Sequence, residues 1–490
     1  MTFKRPSTAP AQCRTPVSAR PAWLPAVLLA VTLAGCADMA GIAPTARLSD
    51  ATTLGLAAPV ATQTAALDAQ WWRAFGDDTL NQLVAQALQN NPSLKLAQAR
   101  LAAAQSASRL VSANSRPQLQ AQLNLTQQQY TANGAVPPPL AGSVRDSGTA
   151  QLSGSWEIDF FGKHQAALQA ALGTAQAAQA DAQAASVLLA SQVAHSYLVW
   201  VGLTEQRLVA SRALAQRQEM LTLVQDRVHA GLDTPLELRQ SQGSLPEARL
   251  QLELLDEQLA LTRHALMALI GEPNKPLALL PKALTAIKTI PIPDALTTNL
   301  LGQRADLVAA RWRVEAADQT VSSARAQFYP NVNLMAFAGF SSIGLDQLLQ
   351  SGSQQWGVGP ALSLPLFDGG RLRANLSGKA AERDAAVESY NSTLVNAVHE
   401  VLDQLSSRQA ITRQQNEQAQ ADLAAQDAWH IAQQRYRAGL ANYLQVLSAE
   451  NAVLAQRRQA VDLATRALQH QVALAHALGG GLQLAGSAPQ

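Results

Sequence analysis

The sequence contains few residues suited to redox, metal or nucleophilic chemistry. Only two cysteines occur, Cys13 and Cys36, and both lie near the N-terminus. The eight histidines are scattered, without an HExxH spacing or a neighbouring cysteine, whereas metal sites need such clusters. No Ser-His-Asp or paired-carboxylate pattern is present either. The sequence therefore predicts no metal, no cofactor and no enzymatic activity.

Charged and continuously apolar segments are also sparse. Charged residues make up 15% of the chain, against roughly 25% in an average soluble domain. The formal net charge is +2 and Lys and Arg form no dense cluster, so we expect no nucleic-acid partner. Beyond the N-terminus no stretch of 18 residues is apolar throughout, which predicts no transmembrane helix.

The first 35 residues have the pattern of a secretion signal. Four basic residues precede an apolar run at 23–33, which is too short to span a bilayer as a helix. The run ends in Leu-Ala-Gly-Cys at 33–36, which resembles the bacterial lipobox and predicts a diacylglycerol and an N-acyl chain on Cys36. Ala37 replaces the Asp that retains lipoproteins in the inner membrane, which favours the outer membrane. An ordinary signal peptide with an incidental cysteine is the alternative.

Two halves of the chain repeat the same order of features. Leu94 and Pro117 align with Leu307 and Pro330 at a constant offset of 213, and Gly231 aligns with Gly439 at an offset of 208. We therefore predict an internal duplication. Its parts are a signal peptide at 1–35, a lipidated extended segment at 36–70, a first repeat at 71–290, a second repeat at 291–480 and a flexible tail at 481–490.

Each half contains two segments in which apolar and polar residues alternate. Such alternation predicts strands of the length found in membrane barrels. In the third segment Met335 and Phe337 interrupt the polar face. Two soluble hairpins in a sandwich are the alternative. The predicted strands span about 117–130, 149–161, 330–341 and 354–367.

Four strands cannot close a barrel by themselves, because closure needs about eight. An open sheet edge in lipid would leave N–H and C=O groups unpaired, each at a cost of several kcal/mol. If these strands enter a membrane, several copies of the chain must therefore share one barrel.

Long helical hairpins follow the strands, at 163–270 and 371–478. The first arm, Lys163 to Ala230, contains no proline and covers about 68 residues, or roughly 100 Å as one helix. We expect Gly162, Gly369 and Gly370 to form the corners between strands and helices. The last two glycines also precede a helix as a phosphate loop would, but the full GxxxxGK[ST] pattern is missing.

Several motifs along the chain together resemble the TolC-type outer membrane factors, in the lipoprotein (NodT-like) branch of tripartite efflux systems. The resemblance covers nearly all of the chain after the signal. The motifs are Trp-Trp-Arg-Ala-Phe-Gly-Asp at 71–77, Asn-Pro at 91–92, Phe-Gly-Lys at 161–163, Phe-Asp-Gly-Gly-Arg at 367–371 and Arg-Tyr-Arg-Ala-Gly-Leu at 435–440.

The resemblance implies a mainly α-helical fold with a membrane β-barrel part. In that family a homotrimer closes a 12-stranded barrel, with four strands per chain, in the outer membrane and extends it as a helical barrel in the periplasm. It implies a passive exit duct that works with a periplasmic adaptor and an inner-membrane transporter of the RND type. Two alternatives remain open: a periplasmic coiled-coil lipoprotein scaffold without a pore, and the exit duct of a type I protein secretion system.

The resemblance also points to residues at the hairpin turns. The adaptor would dock on the turns that contain Gly231, Leu232, Gly439 and Leu440, although these glycines could simply end helices. The periplasmic gate would pair Tyr436 with Glu237, while Gln445 replaces an acid that is common in the family. Glu237 as an ordinary solvated helix residue is the alternative. Neither the cargo nor the ion selectivity follows from the sequence.

Overall fold

The computed structural model describes residues 38–50, 68–274, 280–290 and 304–480. Cys36, the signal segment and the tail at 481–490 lie outside these residues. The first half contains α1 (Asp78–Asn90), α2 (Pro92–Asn114), β1 (Gln118–Gln129), β2 (Val144–Ile158), α3 (Lys163–His229) and α4 (Pro235–Ile270). The second half contains α5 (Ala305–Ala326), β3 (Asn331–Ile343), β4 (Gln354–Ser363), α6 (Arg371–Arg437) and α7 (Tyr443–Ala477).

The order helix, strand, strand, long helix, helix occurs in both halves. The two long helices, α3 and α6, each have 67 residues, or about 100 Å at 1.5 Å per residue. Each long helix is followed by a short turn and a second helix of 36 or 35 residues. The chain therefore contains two copies of one strand-and-hairpin arrangement.

The four strands form one sheet in the order β1-β2-β3-β4, within a compact unit of their own. The pairing of β3 with both neighbours is antiparallel, and Ala338 lies opposite Leu152 on one side and Trp356 on the other. Directly opposite residues point to the same face of a sheet. The register therefore collects nearly all large apolar side chains of β2, β3 and β4 on one face and the polar ones on the other.

Two strand bounds differ from those predicted by more than three residues. Strand β2 begins at Val144 rather than about 149, because Gly344 donates a backbone hydrogen bond of 2.6 Å to the carbonyl of Asp146 and pairing with the β3 end continues there. Strand β4 ends at Ser363 rather than about 367. Pro365 has no N–H to donate to a ladder, so it ends regular pairing at this point.

The helices form a second compact unit, in which α3 packs against α2, α4 and α7. Its core contains Trp71, Phe75 and the apolar face of α1 together with Tyr197 and Trp200 of α3. Asp77 caps α1 by accepting hydrogen bonds from two of its first N–H groups, and the hydroxyl of Tyr197 donates to the same carboxylate. The Trp-Trp motif at 71–72 is thus a packing feature.

One described helix, α3, is long and apolar enough by length and composition to be a candidate membrane span, although none of its 18-residue stretches is apolar throughout. Helix α3 contains an 18-residue window with a mean hydropathy of 1.3, and half of this window is buried inside the chain. Val193, Tyr197 and Trp200 are among its buried residues. The apolar window belongs to the helical core just described.

An extended segment near the N-terminus lies along α6. In the helical unit, the carboxylate of Asp384 accepts hydrogen bonds from the N–H groups of Thr45 and Ala46, at 2.9–3.0 Å, and from the Thr45 hydroxyl at 2.8 Å. About two helical turns further along α6, the side chain of Asn391 accepts a hydrogen bond from the N–H of Ser49 at 2.8 Å and donates one to the carbonyl of Arg47 at 3.0 Å. These contacts fix the segment at 45–49 to one face of the helix.

Candidate functional site

The two hairpin turns have the same backbone geometry. Gly231 and Gly439 adopt φ of 72° and 73°, values that glycine reaches without the steric cost of a side chain. The next residue, Leu232 or Leu440, donates its N–H to the carbonyl of Arg227 or Arg435 at 2.8 Å. This pattern closes a helix end by satisfying its last carbonyl groups.

Each turn exposes a leucine side chain to solvent. Leu232 is 65% exposed and Leu440 is 70% exposed. The four residues predicted for adaptor docking therefore lie at the tips of two hairpins with equivalent geometry. In the described chain Gly231 and Gly439 also end their helices, which was the alternative interpretation.

A small apolar cluster lies directly behind the turns. Tyr436 and Tyr443 are fully buried there, with ring centroids 6.1 Å apart, and Val224 and Val446 pack against them. Val224 belongs to α3, Tyr436 to α6, and the other two to α7. The cluster therefore joins the first helical hairpin to the second.

A polar contact extends this cluster into the first turn. The hydroxyl of Tyr436 donates a hydrogen bond to Oδ2 of Asp233. Arg227 donates to both oxygens of the same carboxylate, at 3.0 and 3.3 Å, and its guanidinium carbon lies 4.6 Å from the centroid of the Tyr436 ring. We call Arg227, Asp233 and Tyr436 the tip triad.

The contacts within the triad shift the pKa values of Asp233 and Tyr436. Burial would raise the pKa of Asp233, but hydrogen bonds from Arg227 and Tyr436 outweigh it and hold the pKa below its usual value. Burial and the hydrogen bond to Asp233 raise the pKa of Tyr436 well above its usual value of 10.0. At neutral pH the triad therefore contains a carboxylate, a guanidinium and a neutral phenol.

The structure does not form the predicted pair of Tyr436 and Glu237. Glu237 is the third residue of α4, and its carboxylate accepts a hydrogen bond of 3.0 Å from the N–H of Thr234. The side-chain oxygen of Thr234 in turn accepts from the N–H of Leu236, and Thr234 and Glu237 form a capping box. Glu237 is used in this cap, and the hydroxyl of Tyr436 bonds instead to Asp233, which lies nearer the turn. The Thr-Pro-Leu-Glu motif at 234–237 was a sequence signal for the cap that our interpretation had missed.

Gln445, the third predicted gate residue, lies in the first turn of α7. It is exposed, and its N–H donates a 3.2 Å hydrogen bond to the side-chain oxygen of Asn442, the N-cap of that helix. The structure does not bring Gln445 into the tip triad.

A second polar cluster, which the sequence analysis had not singled out, lies between the hairpins. Arg217 of α3 donates to the carbonyl of Ser244 at 3.0 Å and to the side chain of Asn451 at 2.7 Å. Its Nε lies 3.5 Å from Oε1 of Glu450, and both side chains are buried. Burial raises the pKa of Glu450 although Arg217 opposes this shift. The cluster connects α3, α4 and α7.

The predicted corner glycines stand directly before the long helices. Gly162 has a φ of 75°, and Gly369 and Gly370 have φ of 66° and 88°. Asp368 caps α6 by accepting hydrogen bonds from the N–H groups of Gly370 and Leu372, at 3.0 and 2.9 Å. Left-handed glycine conformations thus precede both α3 and α6.

Comparison with known proteins identifies the family. The family model described as outer membrane efflux protein matches residues 83–272 and 296–480, which is more than half of the chain. This chain belongs to the outer membrane efflux protein family. The multidrug resistance outer membrane protein MdtQ of Escherichia coli O157:H7 is 32% identical over 462 residues, which cover 92% of this chain and 96% of that protein.

Solved structures agree with this assignment. The outer membrane protein VceC of Vibrio cholerae is 37% identical, with a TM-score of 0.78, and the match covers 85% of this chain and 100% of that one. The open state of the MtrE outer membrane channel of Neisseria gonorrhoeae has the same fold, with a TM-score of 0.78 at 24% identity over 90% of this chain and 98% of that one.

The family determines the general function and confirms the predicted fold class. The chain is a TolC-like outer-membrane channel component of a tripartite efflux pump, and it is not an enzyme. It works with a periplasmic adaptor and an inner-membrane transporter.

Proposed function

We propose that three copies of this chain form a lipid-anchored exit duct for several small organic drugs. The observation that carries the trimer is the open sheet: β1 and β4 each have a strand neighbour on one side only, within the described residues. A sheet with one apolar face in lipid needs its edges paired. Three sheets of four strands, joined edge to edge, satisfy every edge in one cylinder of 12 strands.

The cargo proposal rests on the relatives. MdtQ and MdtP of Escherichia coli are both named multidrug resistance outer membrane proteins, at 32% identity to this chain. We propose the same class of cargo here, delivered by an inner-membrane transporter of the RND type. The proposed location is the outer membrane with an extension into the periplasm.

The proposed lipid anchor is Cys36, which would carry a diacylglycerol and an N-acyl chain. The supporting contact lies in the sheet unit, where Arg373 donates to the carbonyl of Asp38, two residues after Cys36, and to that of Ala40 at 3.3 Å. Arg373 is in the first turn of α6, shortly after β4 ends. The chain next to the proposed lipid is thus held where a strand gives way to a helix, which suits an anchor in the inner leaflet.

The two turns are the proposed contact for the adaptor, and the tip triad is the proposed gate latch. Exposed Leu232 and Leu440 would pack against the adaptor, since apolar side chains at exposed tips are suited to burial by a partner. Asp233 would hold the second hairpin closed through Tyr436. Opening would require this hydrogen bond to break before the two hairpins separate.

The proposed trimer is tested by purifying the full chain from outer membranes in detergent and comparing heated with unheated samples by electrophoresis. We expect a heat-modifiable trimer that produces discrete conductance steps in planar bilayers. A species that is monomeric, or released by washing once the lipid is removed, would contradict the duct and support the scaffold without a pore.

A further inference from the structure

The polar face of the sheet is interrupted at one place by exposed apolar side chains. Two polar contacts join strands across this face: Thr149 to Ser341 at 3.2 Å and Gln355 to Gln151 at 3.0 Å. Met335 and Phe337 lie on the same face, 52% and 40% exposed. The other residues of this face include Ser153, Ser155, Glu157, Asn331, Asn333 and Ser363.

Glycine makes room for this apolar pair. Phe337 lies opposite Gly357 on β4 and opposite Ser153 on β2. A Cβ at position 357 would come within 2.7 Å of Cε1 of Phe337, so the ring lies across the glycine and partly fills the place of its missing side chain. Met335 lies opposite Gly359, where a Cβ would meet no atom within 4 Å. The two residues opposite this apolar pair on β4 thus carry no side chain that would cover it.

A carboxylate belongs to the same face. Glu157 lies opposite Asn333, two residues along β3 from Met335, which is about 7 Å on a strand. An aromatic ring, a thioether and a nearby carboxylate attract organic cations that carry aromatic rings, because the ring face carries negative partial charge and the thioether is polarizable.

We propose that Phe337 and Met335 form a binding site on the inner wall of the barrel for aromatic organic cations in transit. The proposal rests on the proposed trimer, in which the polar face surrounds the lumen. A 12-stranded barrel is wider than the eight-stranded barrels that side chains fill. The three copies of the pair therefore contact the cargo along the wall and leave the duct open.

The test uses the full chain reconstituted in planar bilayers, with tetraphenylphosphonium added on the side of the strand-connecting loops. This ion reaches the barrel without passing the periplasmic turns. We expect it to interrupt the wild-type current in resolvable blocks, whereas tetramethylammonium, of equal charge and without rings, does not. Phe337→Leu should shorten the blocks at least about threefold, and Phe337→Ser more, because a ring face over a cation is lost.

The matched control is Phe340→Leu. Phe340 lies three residues along β3 on the opposite, apolar face of the sheet, so this change should leave the block duration as in the wild type. The site is refuted if tetraphenylphosphonium fails to block the wild-type channel, if Phe337→Leu and Phe337→Ser keep wild-type block durations, or if Phe340→Leu shortens them equally. Absence of any trimer or conductance step would refute the proposed duct instead, and the two failures are thus distinguishable.

Discussion

The hydroxyl of Tyr436 donates a hydrogen bond to the carboxylate of Asp233, and this contact ties the second helical hairpin to the turn of the first. Arg227 donates hydrogen bonds to both oxygens of the same carboxylate. The contact spans 203 residues of sequence, so both hairpins must be folded and adjacent for it to form. A conformational change that separates the two hairpins at the turns must therefore break this hydrogen bond.

Replacing Tyr436 by Phe removes this bond and keeps the ring. We expect the channel to open more often in planar bilayers, with a loss of about 1–2 kcal/mol of closed-state stability, because Asp233 keeps Arg227 as a partner. Tyr443→Phe is the control, since its ring packs in the same cluster. Glu237→Ala should affect only the start of α4 and leave opening unchanged. An effect of Glu237→Ala equal to that of Tyr436→Phe would contradict the assignment.

The triad also predicts a limited pH range for the closed tip. The pKa of Asp233 is lowered in the folded chain, so the stabilisation persists below the ordinary carboxyl range and is lost only as the pH falls through the lowered pKa. The pKa of Tyr436 is raised, so its stabilisation is complete below about pH 10 and is lost as the pH rises through the raised pKa.

The alkaline side is measurable by absorbance. The difference between wild type and Tyr436→Phe at the phenolate band should titrate later than an ordinary tyrosine. Channel opening should rise at both extremes of pH in the wild type, and both rises should be smaller in Tyr436→Phe, because the bond between the hairpins on which either titration acts is already absent. A difference spectrum that titrates near pH 10 would show that Tyr436 is not bound to a carboxylate.

A close helix contact predicts different effects for two glycines in long helices. A Cβ at Gly202 of α3 would lie 2.5 Å from the hydroxyl of Thr465 on α7, whereas a Cβ at Gly243 of α4 would meet nothing within 4 Å. We expect Gly202→Ala to destabilise the chain by about 1–3 kcal/mol through overpacking. Gly243→Ala should be neutral or stabilise it by up to about 1 kcal/mol through helix propensity. Thermal unfolding compares them, and equal effects would contradict the close contact.

The contacts of Asp384 predict how the N-terminal segment is held. Asp384→Ala removes the acceptor for Thr45 and Ala46, so the segment at 44–50 should become more sensitive to limited proteolysis. Glu382→Ala is the matched control, because its carboxylate pairs only with Lys379 one turn away on the same helix, as far as the described contacts extend. Equal proteolysis of the two variants would show that Asp384 does not hold the segment.

The sequence predicted much of the local structure because the local signals are strong. Lipid and water on opposite faces impose the alternation at residues 118–129, and the turns at Gly231 and Gly439 follow long segments without proline. Local sequence patterns did not predict which residue accepts the hydrogen bond from Tyr436. Asp233 and Glu237 are acids within one helical turn of each other, and only the packing of two hairpins decides which of them the tyrosine reaches.

The polar cluster around Arg217 was not predicted from the sequence for a related reason. Arg217 and Glu450 each stand in a helix with polar residues on several sides, where a charge usually faces water. Burial of this pair depends on three helices meeting at one level. The residue pattern of any one of these helices therefore does not predict the contact.

The equal length of α3 and α6 restricts how this chain can vary. A seven-residue insertion in one helix alone would move its tip by about 10 Å, far beyond the reach of a phenol for a carboxylate. Insertions and deletions in the two halves are therefore expected to be tolerated as matched pairs, so that the two gene segments lengthen or shorten together.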